Sequence, residues 1–270
     1  MRKTNNSPIG IFDSGIGGLT VTKEIVKLLP HESIIYIGDT ARVPYGTRSK
    51  EVITKFAKQL VNFLLKRKVK FLVVACNTIS SVALDEIKKI SPVPVIGVII
   101  PAAKKATEET KNKKIGVIGT QGTIASYAYE KEIKKINLKI KVVATACPLF
   151  VSLAEEGLGD HPAAKLLAKD YLEEIISSGV DILILGCTHY PLLLETIRNV
   201  VGPKVNIVDS AVPTAQQLKI TLENNNLLSD SKEPTLEFYV TDAPDRVYQI
   251  ASRFFGKKLK GLKKVDLGPD

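Results

Sequence analysis

Ile182-Leu183-Ile184-Leu185-Gly186-Cys187-Thr188-His189-Tyr190-Pro191 is the stretch on which the reading of this chain turns. Its consecutive apolar residues predict a parallel strand buried on both faces. Gly186 then frees the backbone, and Cys187 stands where the strand runs out. Ligands of α/β folds bind outside the carboxyl ends of strands, so a thiol at that point is placed for chemistry. Phe71-Leu72-Val73-Val74-Ala75-Cys76-Asn77-Thr78 repeats the grammar: apolar run, small residue, cysteine, hydrogen-bonding side chains. Two strand-end cysteines, far apart in sequence and alike in setting, point to a pair that works together.

Outward from these, Pro8-Ile9-Gly10-Ile11-Phe12 predicts a first strand, Asp13-Ser14-Gly15-Ile16-Gly17-Gly18 a glycine-rich turn, and Leu19 to Leu29 a helix. The turn fails both nucleotide tests. A P-loop ends in Gly-Lys-Ser/Thr, whereas Leu19-Thr20 follows Gly18; the dinucleotide fingerprint needs a third glycine where Thr20 stands. What remains is a turn whose amides can hold a carboxylate, with Asp13 and Ser14 either facing the cleft or capping the helix. Ile34 to Gly38 predicts a second strand. The polar loop Asp39-Thr40-Ala41-Arg42-Val43-Pro44-Tyr45-Gly46-Thr47-Arg48 follows, and Ser49 caps the next helix. A helix is expected from about Ile79 to Ile90, and a fourth strand at Pro92 to Val98.

Lys114-Ile115-Gly116-Val117-Ile118-Gly119-Thr120 then restarts the opening pattern about a hundred residues later, too long a period for a solenoid. This predicts an α/β fold of two similar lobes, each a parallel-sheet sandwich, with the active site in the cleft between them. The expected division is 1–99 plus 209–270 for the first lobe and 100–208 for the second. The strand Leu236 to Asp242 and the helix Pro244 to Phe255 bring the chain back to the first lobe.

Hydrophobic content of 44% and charged content of 24% are those of a soluble globular protein. The polar start Met1-Arg2-Lys3-Thr4-Asn5-Asn6 has no secretory region, and no apolar run approaches the roughly 18 residues of a membrane span. Three cysteines are too few for a disulfide framework. A cytoplasmic protein is expected, with no membrane contact. The histidines, His31, His161 and His189, are scattered without metal-ligand pairing, so no metal is expected. The net charge of +10 is spread over lysine-bearing helix faces and turns, which reads as a solvated surface rather than a nucleic-acid site. Cys147, among small and apolar residues, reads as packing.

Two cleft thiols can act as a nucleophile with a His base, or as two acid/base groups. His189 keeps the first reading open but leaves Cys76 without a role. The second uses both: one thiolate removes a proton from carbon and the opposite thiol returns one to the other face, inverting a stereocentre. A free thiol ionises near pH 8.5, so a neutral-pH thiolate needs helix N-termini or polar neighbours, which Asn77, Thr78, Thr188 and His189 supply. Asp13 would then assist Cys76, and His189 would assist Cys187.

Four stretches carry a family resemblance: Ile11-Phe12-Asp13-Ser14-Gly15-Ile16-Gly17-Gly18-Leu19, Asp39-Thr40-Ala41-Arg42-Val43-Pro44-Tyr45-Gly46, Ala75-Cys76-Asn77-Thr78, and Leu185-Gly186-Cys187-Thr188-His189-Tyr190-Pro191. In this order they resemble the glutamate racemases of the cofactor-independent aspartate/glutamate racemase superfamily. The resemblance implies Cys76 and Cys187 as the catalytic acid/base pair, the first acting on the D- and the second on the L-enantiomer. It implies Asp13, Ser14, Pro44, Tyr45, Gly46, Asn77, Thr78, Thr188 and His189 around the substrate. Asp13, His189 and one of Glu155 or Glu156 resemble the assisting groups, with Glu156 taken as the third. It implies D-glutamate supply for peptidoglycan, cell wall and cell shape, no cofactor, and a homodimer.

Aspartate racemases of the superfamily usually carry a His soon after the first cysteine and Cys-Thr-Glu at the second; here the stretches read Cys76-Asn77-Thr78-Ile79-Ser80 and Cys187-Thr188-His189. Decarboxylase relatives keep one cysteine. A two-lobed amino-acid-binding protein would need no thiols and would normally carry an export signal.

Overall fold

The computed structural model describes residues 5–242, 244–259 and 261–268. Residues 1–4 of the polar start, Lys260 of the last lysine run and the final two positions of the expected first lobe lie outside them.

The chain opens with β1 (Ile9–Asp13), α1 (Leu19–Leu28), β2 (Ile34–Gly38), α2 (Lys50–Leu65), β3 (Phe71–Val74), α3 (Asn77–Val82), α4 (Leu84–Ile90) and β4 (Val95–Gly97). It continues through α5 (Ile99–Glu109), β5 (Lys114–Gly119), α6 (Gln121–Ala125), α7 (Ala128–Ile136), β6 (Lys141–Ala146), α8 (Leu149–Glu155), α9 (Pro162–Ser177) and β7 (Ile182–Gly186). A 3-10 turn at Tyr190–Leu193 leads to α10 (Leu194–Val201) and β8 (Asn206–Asp209). The chain ends with α11 (Ala211–Asn224), β9 (Leu236–Val240), α12 (Pro244–Phe255) and β10 (Leu262–Lys264).

Two parallel sheets result, as the apolar runs predict. One has the order β10-β9-β2-β1-β3-β4, the other β6-β5-β7-β8. The order β2-β1-β3-β4 of the first is that of the second, element for element, which matches the restart of the sequence at Lys114. The returning strand β9 pairs with β2 and carries β10 on its outer edge.

Strand alternation explains why the runs are apolar on both parities. Ile9, Ile11, Tyr36, Phe71, Val73, Phe238 and Val240 face one side of the first sheet and pack with α1, α11 and α12. Phe12, Ile35, Ile37, Leu72, Val74 and Tyr239 face the other, against α2, α3 and α4. In the second sheet Ile118, Leu183 and Leu185 face α8, α9 and α10, while Ile115, Val117, Ile182 and Ile184 face α5 and α7. Each such side chain contributes about 1.5–3 kcal/mol by leaving water. The face that packs on α1 joins the α9 side of the second sheet in one continuous core, so the lobes share an interior.

Helix ends follow local chemistry. Ser49 caps α2 as expected, its Oγ accepting the Val52 amide at 3.4 Å. The single helix expected from Ile79 to Ile90 is two: it starts at Asn77, directly after Cys76, and breaks at Ala83, whose φ of −120° is not helical. The sequence reading names neither the helices α6 and α7 nor the short edge strand β10, although Tyr129, Ile133 and Ile136 of α7 recur at helical spacing.

In each sheet the order reverses beside the first strand of the lobe. The crevices therefore open between the ends of β1 and β3, and between those of β5 and β7. Asp13, Ser14 and Cys76 stand at the first, Thr120 and Cys187 at the second.

Candidate active site

Cys76 follows β3 as the N-cap residue of α3 and is 4% exposed. Its thiol donates to Ser14 Oγ at 3.3 Å, and its sulfur accepts the Ile79 amide at 3.5 Å. Asp13 is fully buried beside it. One carboxylate oxygen, Oδ2, accepts the Gly18 amide at 2.8 Å; Oδ1 is buried with no hydrogen-bond partner among the described residues. Burial first, and the Asp13 charge second, push the Cys76 thiol up to about 12, against the pull of Ser14 and the Ile79 amide. At neutral pH Cys76 is a thiol, a proton donor.

Cys187 has a different partner. It is 6% exposed, and its Sγ lies 3.9 Å from His189 Nδ1. The other ring nitrogen, Nε2, lies 3.0 Å from Glu155 Oε1. Burial disfavours the imidazolium, but the hydrogen bonds to Cys187 and Glu155 outweigh it and raise the ring to about 10. The ring is thus lodged between a sulfur and a carboxylate. Phe254 of α12 closes the ring from the side, edge-on at 5.0 Å between centroids.

The two thiol turns share neighbours. The glycine-rich turn touches both: Ser14 meets Cys76, while Gly17 lies so close to Thr188 and His189 that a Cβ there would overlap the Thr188 hydroxyl and the His189 ring. Thr20 Oγ1 donates to the Thr188 carbonyl at 3.3 Å. Thr78 Oγ1 lies 2.9 Å from Thr120 Oγ1 and 3.4 Å from Thr123 Oγ1 across the lobes. Asn77 accepts from the Tyr129 hydroxyl at 2.7 Å and donates to Ser210 at 3.3 Å.

The structure therefore gathers Asp13, Ser14, Cys76, Asn77, Thr78, Cys187, Thr188 and His189 at the two crevices. The loop after β2 is placed differently from its simplest reading. The Tyr45 ring is buried and its hydroxyl donates to Asp39, Pro44 is exposed, and the Gly46 carbonyl accepts the Gly122 amide at 2.9 Å. So this loop is pinned on α6 by its backbone.

The choice of Glu156 needs correcting. Glu155 in the last turn of α8 is the carboxylate against His189; Glu156 is the exposed C-cap residue. Neighbouring helical positions point about 100° apart, so only one of the two can reach the ring. Cys147 is buried in the core as expected, its carbonyl accepting the Tyr190 hydroxyl at 2.9 Å.

Asp39 is a buried anchor of the loop after β2 that the sequence reading passed over. It is fully buried; Oδ2 accepts from Arg42 Nε at 2.6 Å and from Tyr45, and Oδ1 accepts the Thr241 hydroxyl at 2.8 Å. Its position just after β2, as Asp13 ends β1, is the signal that marks it. Among the described residues no three His, Cys, Asp or Glu side chains gather as a metal site would require.

Two thiols at the ends of equivalent strands, one held as a proton donor and one beside an imidazolium, can move a proton onto and off one carbon. The model of the Asp/Glu/Hydantoin racemase family matches residues 9–218, a span that takes in both cysteines. The chain belongs to the Asp/Glu/Hydantoin racemase family. This racemase-family chain is an isomerase, and its relatives match it nearly end to end. It is 49% identical over 260 residues to the glutamate racemase of Geobacter metallireducens, covering 96% of both. It superposes on the glutamate racemase isoform RacE1 of Bacillus anthracis with a TM-score of 0.94 at 42% identity, covering 97% of this chain and 98% of that one. The glutamate racemase of Francisella tularensis in complex with D-glutamate gives 0.92 at 41% identity, with the same coverage. No helix among the described residues is long and apolar enough to cross a membrane.

Proposed function

We propose that this racemase interconverts L- and D-glutamate by two-base proton transfer, with Cys187 acting on the L-enantiomer and Cys76 on the D-enantiomer. The observation that carries the reading is the duplicated placement of the thiols. Each follows the third strand of its lobe at the point where the strand order reverses, and each has its own proton partner. Glutamate as substrate is supported by the relatives at 41–49% identity, and by the one among them held with D-glutamate.

In the L-to-D direction the Cys187 thiolate, paired with the His189 imidazolium, takes the α-proton and forms S–H. The electron pair of the broken C–H bond moves into the α-carboxylate. The Cys76 S–H then breaks, its proton forming the new C–H bond on the opposite face and leaving a thiolate. Asp13 disfavours that thiolate, so it keeps Cys76 protonated until the carbanion takes the proton and makes the Cys76 thiolate the stronger base in the reverse direction. The reverse direction exchanges the roles. A carbon acid this weak needs hydrogen bonds to the developing carboxylate charge; on this reading the backbone amides of the two thiol turns, the Ser14 and Thr188 hydroxyls and the Pro44-Tyr45-Gly46 loop supply them.

On this reading the reaction needs neither pyridoxal phosphate nor metal. The lobes divide at 1–99 plus 209–270 and 100–208. The product serves peptidoglycan synthesis in the cytoplasm, and the chain acts as a homodimer with no nucleic-acid or membrane partner. Proton NMR of the substrate α-proton in deuterated buffer, without added cofactor, tests the substrate. Loss of the glutamate signal with growth of the other enantiomer, and no change with L-aspartate, is the expected result. Exchange with L-aspartate alone would move the assignment to aspartate racemase; no exchange with either would favour a two-lobed binding protein.

A further inference from the structure

Tyr129 belongs to neither thiol turn and touches a neighbour of each. It lies in the first turn of α7 and is 3% exposed. Its hydroxyl donates to Asn77 Oδ1 at 2.7 Å, and Asn77 directly follows Cys76. Its ring lies on Gly186, which directly precedes Cys187. A Cβ at Gly186 would stand 3.0 Å from Tyr129 Cε2 and 2.7 Å from the Ile118 carbonyl oxygen, so only glycine lets ring and strand approach this closely.

The far end of the Asn77 amide is held as well, Nδ2 donating to Ser210 Oγ at 3.3 Å. Both ends of this side chain are thus committed to protein partners. It acts as a strut, fixed by α7 on one side and by the residue after β8 on the other. Burial, with the charges of Cys187 and Asp209 behind it, keeps the Tyr129 hydroxyl protonated and therefore a donor.

We propose that Tyr129 is a positioning residue that sets the separation of the two thiols, acting on Cys76 through Asn77 and on Cys187 through Gly186, with Ser210 as the second anchor of the strut. This rests on the two-thiol reading. Proton transfer at carbon needs reacting atoms about 3–3.5 Å apart, and a displacement of about 1 Å costs about 100-fold. A slackened strut moves one thiol away from the carbon while the other still reaches it. The carbanion is then reprotonated on the face it came from more often than on the opposite face.

The experiment follows L-glutamate in deuterated buffer with the full chain, reading two rates. Deuterium entering the remaining L-glutamate reports exchange without inversion; appearance of D-glutamate reports inversion. In Tyr129→Phe, which keeps the ring, inversion falls by about 10–100-fold while exchange falls by much less, so their ratio rises by about 10-fold or more. KM stays near the parent value, because the hydroxyl is spent on Asn77. Ser210→Ala moves the ratio in the same direction, and it carries the test alone if Tyr129→Phe does not fold. Tyr127→Phe, at a ring 63% exposed two residues earlier, leaves both rates unchanged. A purely structural role would lower exchange and inversion in parallel with the folded fraction; that result, or unchanged rates in both variants, overturns the proposal. If the parent chain neither exchanges nor inverts, the two-thiol reading itself falls, an outcome distinct from a parent that does both while the variants keep its ratio.

Discussion

Nε2 of His189 stands 3.0 Å from Oε1 of Glu155, with the opposite face of the pair turned to Cys187. The carboxylate fixes the ring's orientation and stabilises its proton, so Nδ1 can present an N–H to the sulfur. This relationship sets the two thiol turns apart, with an imidazole beside Cys187 and the Asp13 carboxylate acting on Cys76.

Glu155→Gln removes the charge and keeps the shape. The expected result is a fall in kcat of about 10–100-fold, at the low end of what a positioned acid/base partner contributes. The His189 pKa, followed by NMR of the imidazole, moves down from about 10. Glu156→Gln leaves both unchanged. Equal effects from the two substitutions would contradict the assignment of Glu155.

The same ring makes stability depend on pH. Its folded pKa of about 10 lies above the ordinary value of 6.5, so the folded state binds the proton more tightly than the unfolded chain. The stabilisation is complete below about 6.5 and is lost as pH rises through about 10. Cys76, raised to about 12, works in the same direction at higher pH. Denaturant midpoints are therefore expected to fall from pH 7 to pH 10, and Glu155→Gln to flatten the decline.

Asp39 holds the loop after β2 from three sides through Arg42, Tyr45 and Thr241. Asp39→Ala leaves a buried phenol without its acceptor and leaves a partly buried guanidinium only its bond to Gln59 among those described. A loss of about 3 kcal/mol is expected, given hydrogen bonds to a charged group of about 1.5–3 kcal/mol and the screening of an Arg42 side chain that is 25% exposed. Chemical denaturation reads it, and a loss under about 1 kcal/mol would show that the loop is held elsewhere.

What was legible in the sequence is what depends on local pattern. Ile182 to Leu185 and Phe71 to Val74 read as buried strands because a parallel sheet is apolar on both parities. The two cysteines stood out because strand ends in such sheets are where ligands bind. The restart at Lys114 foretold two lobes of like topology. What was hidden depends on packing between distant segments. Glu155 and Glu156 differ only in which way a helix end points. Asn77 read as a substrate-side donor, but Tyr129 and Ser210, 52 and 133 residues away, engage its amide. Gly17 read as part of a tight turn, whereas its lack of a side chain admits Thr188 and His189 from the other lobe.

The central claim is that two thiols on opposite faces of one carbon share the reaction, and Cys76→Ser and Cys187→Ser test it most directly. Each variant is given L- and D-glutamate separately in deuterated buffer, and both enantiomers are followed for amount and deuterium. Cys76→Ser is predicted to place deuterium in L-glutamate through Cys187 without forming appreciable D-glutamate; Cys187→Ser is predicted to do the mirror image with D-glutamate. Continued interconversion at the parent rate in either variant would show that one thiol suffices and would contradict the two-base account.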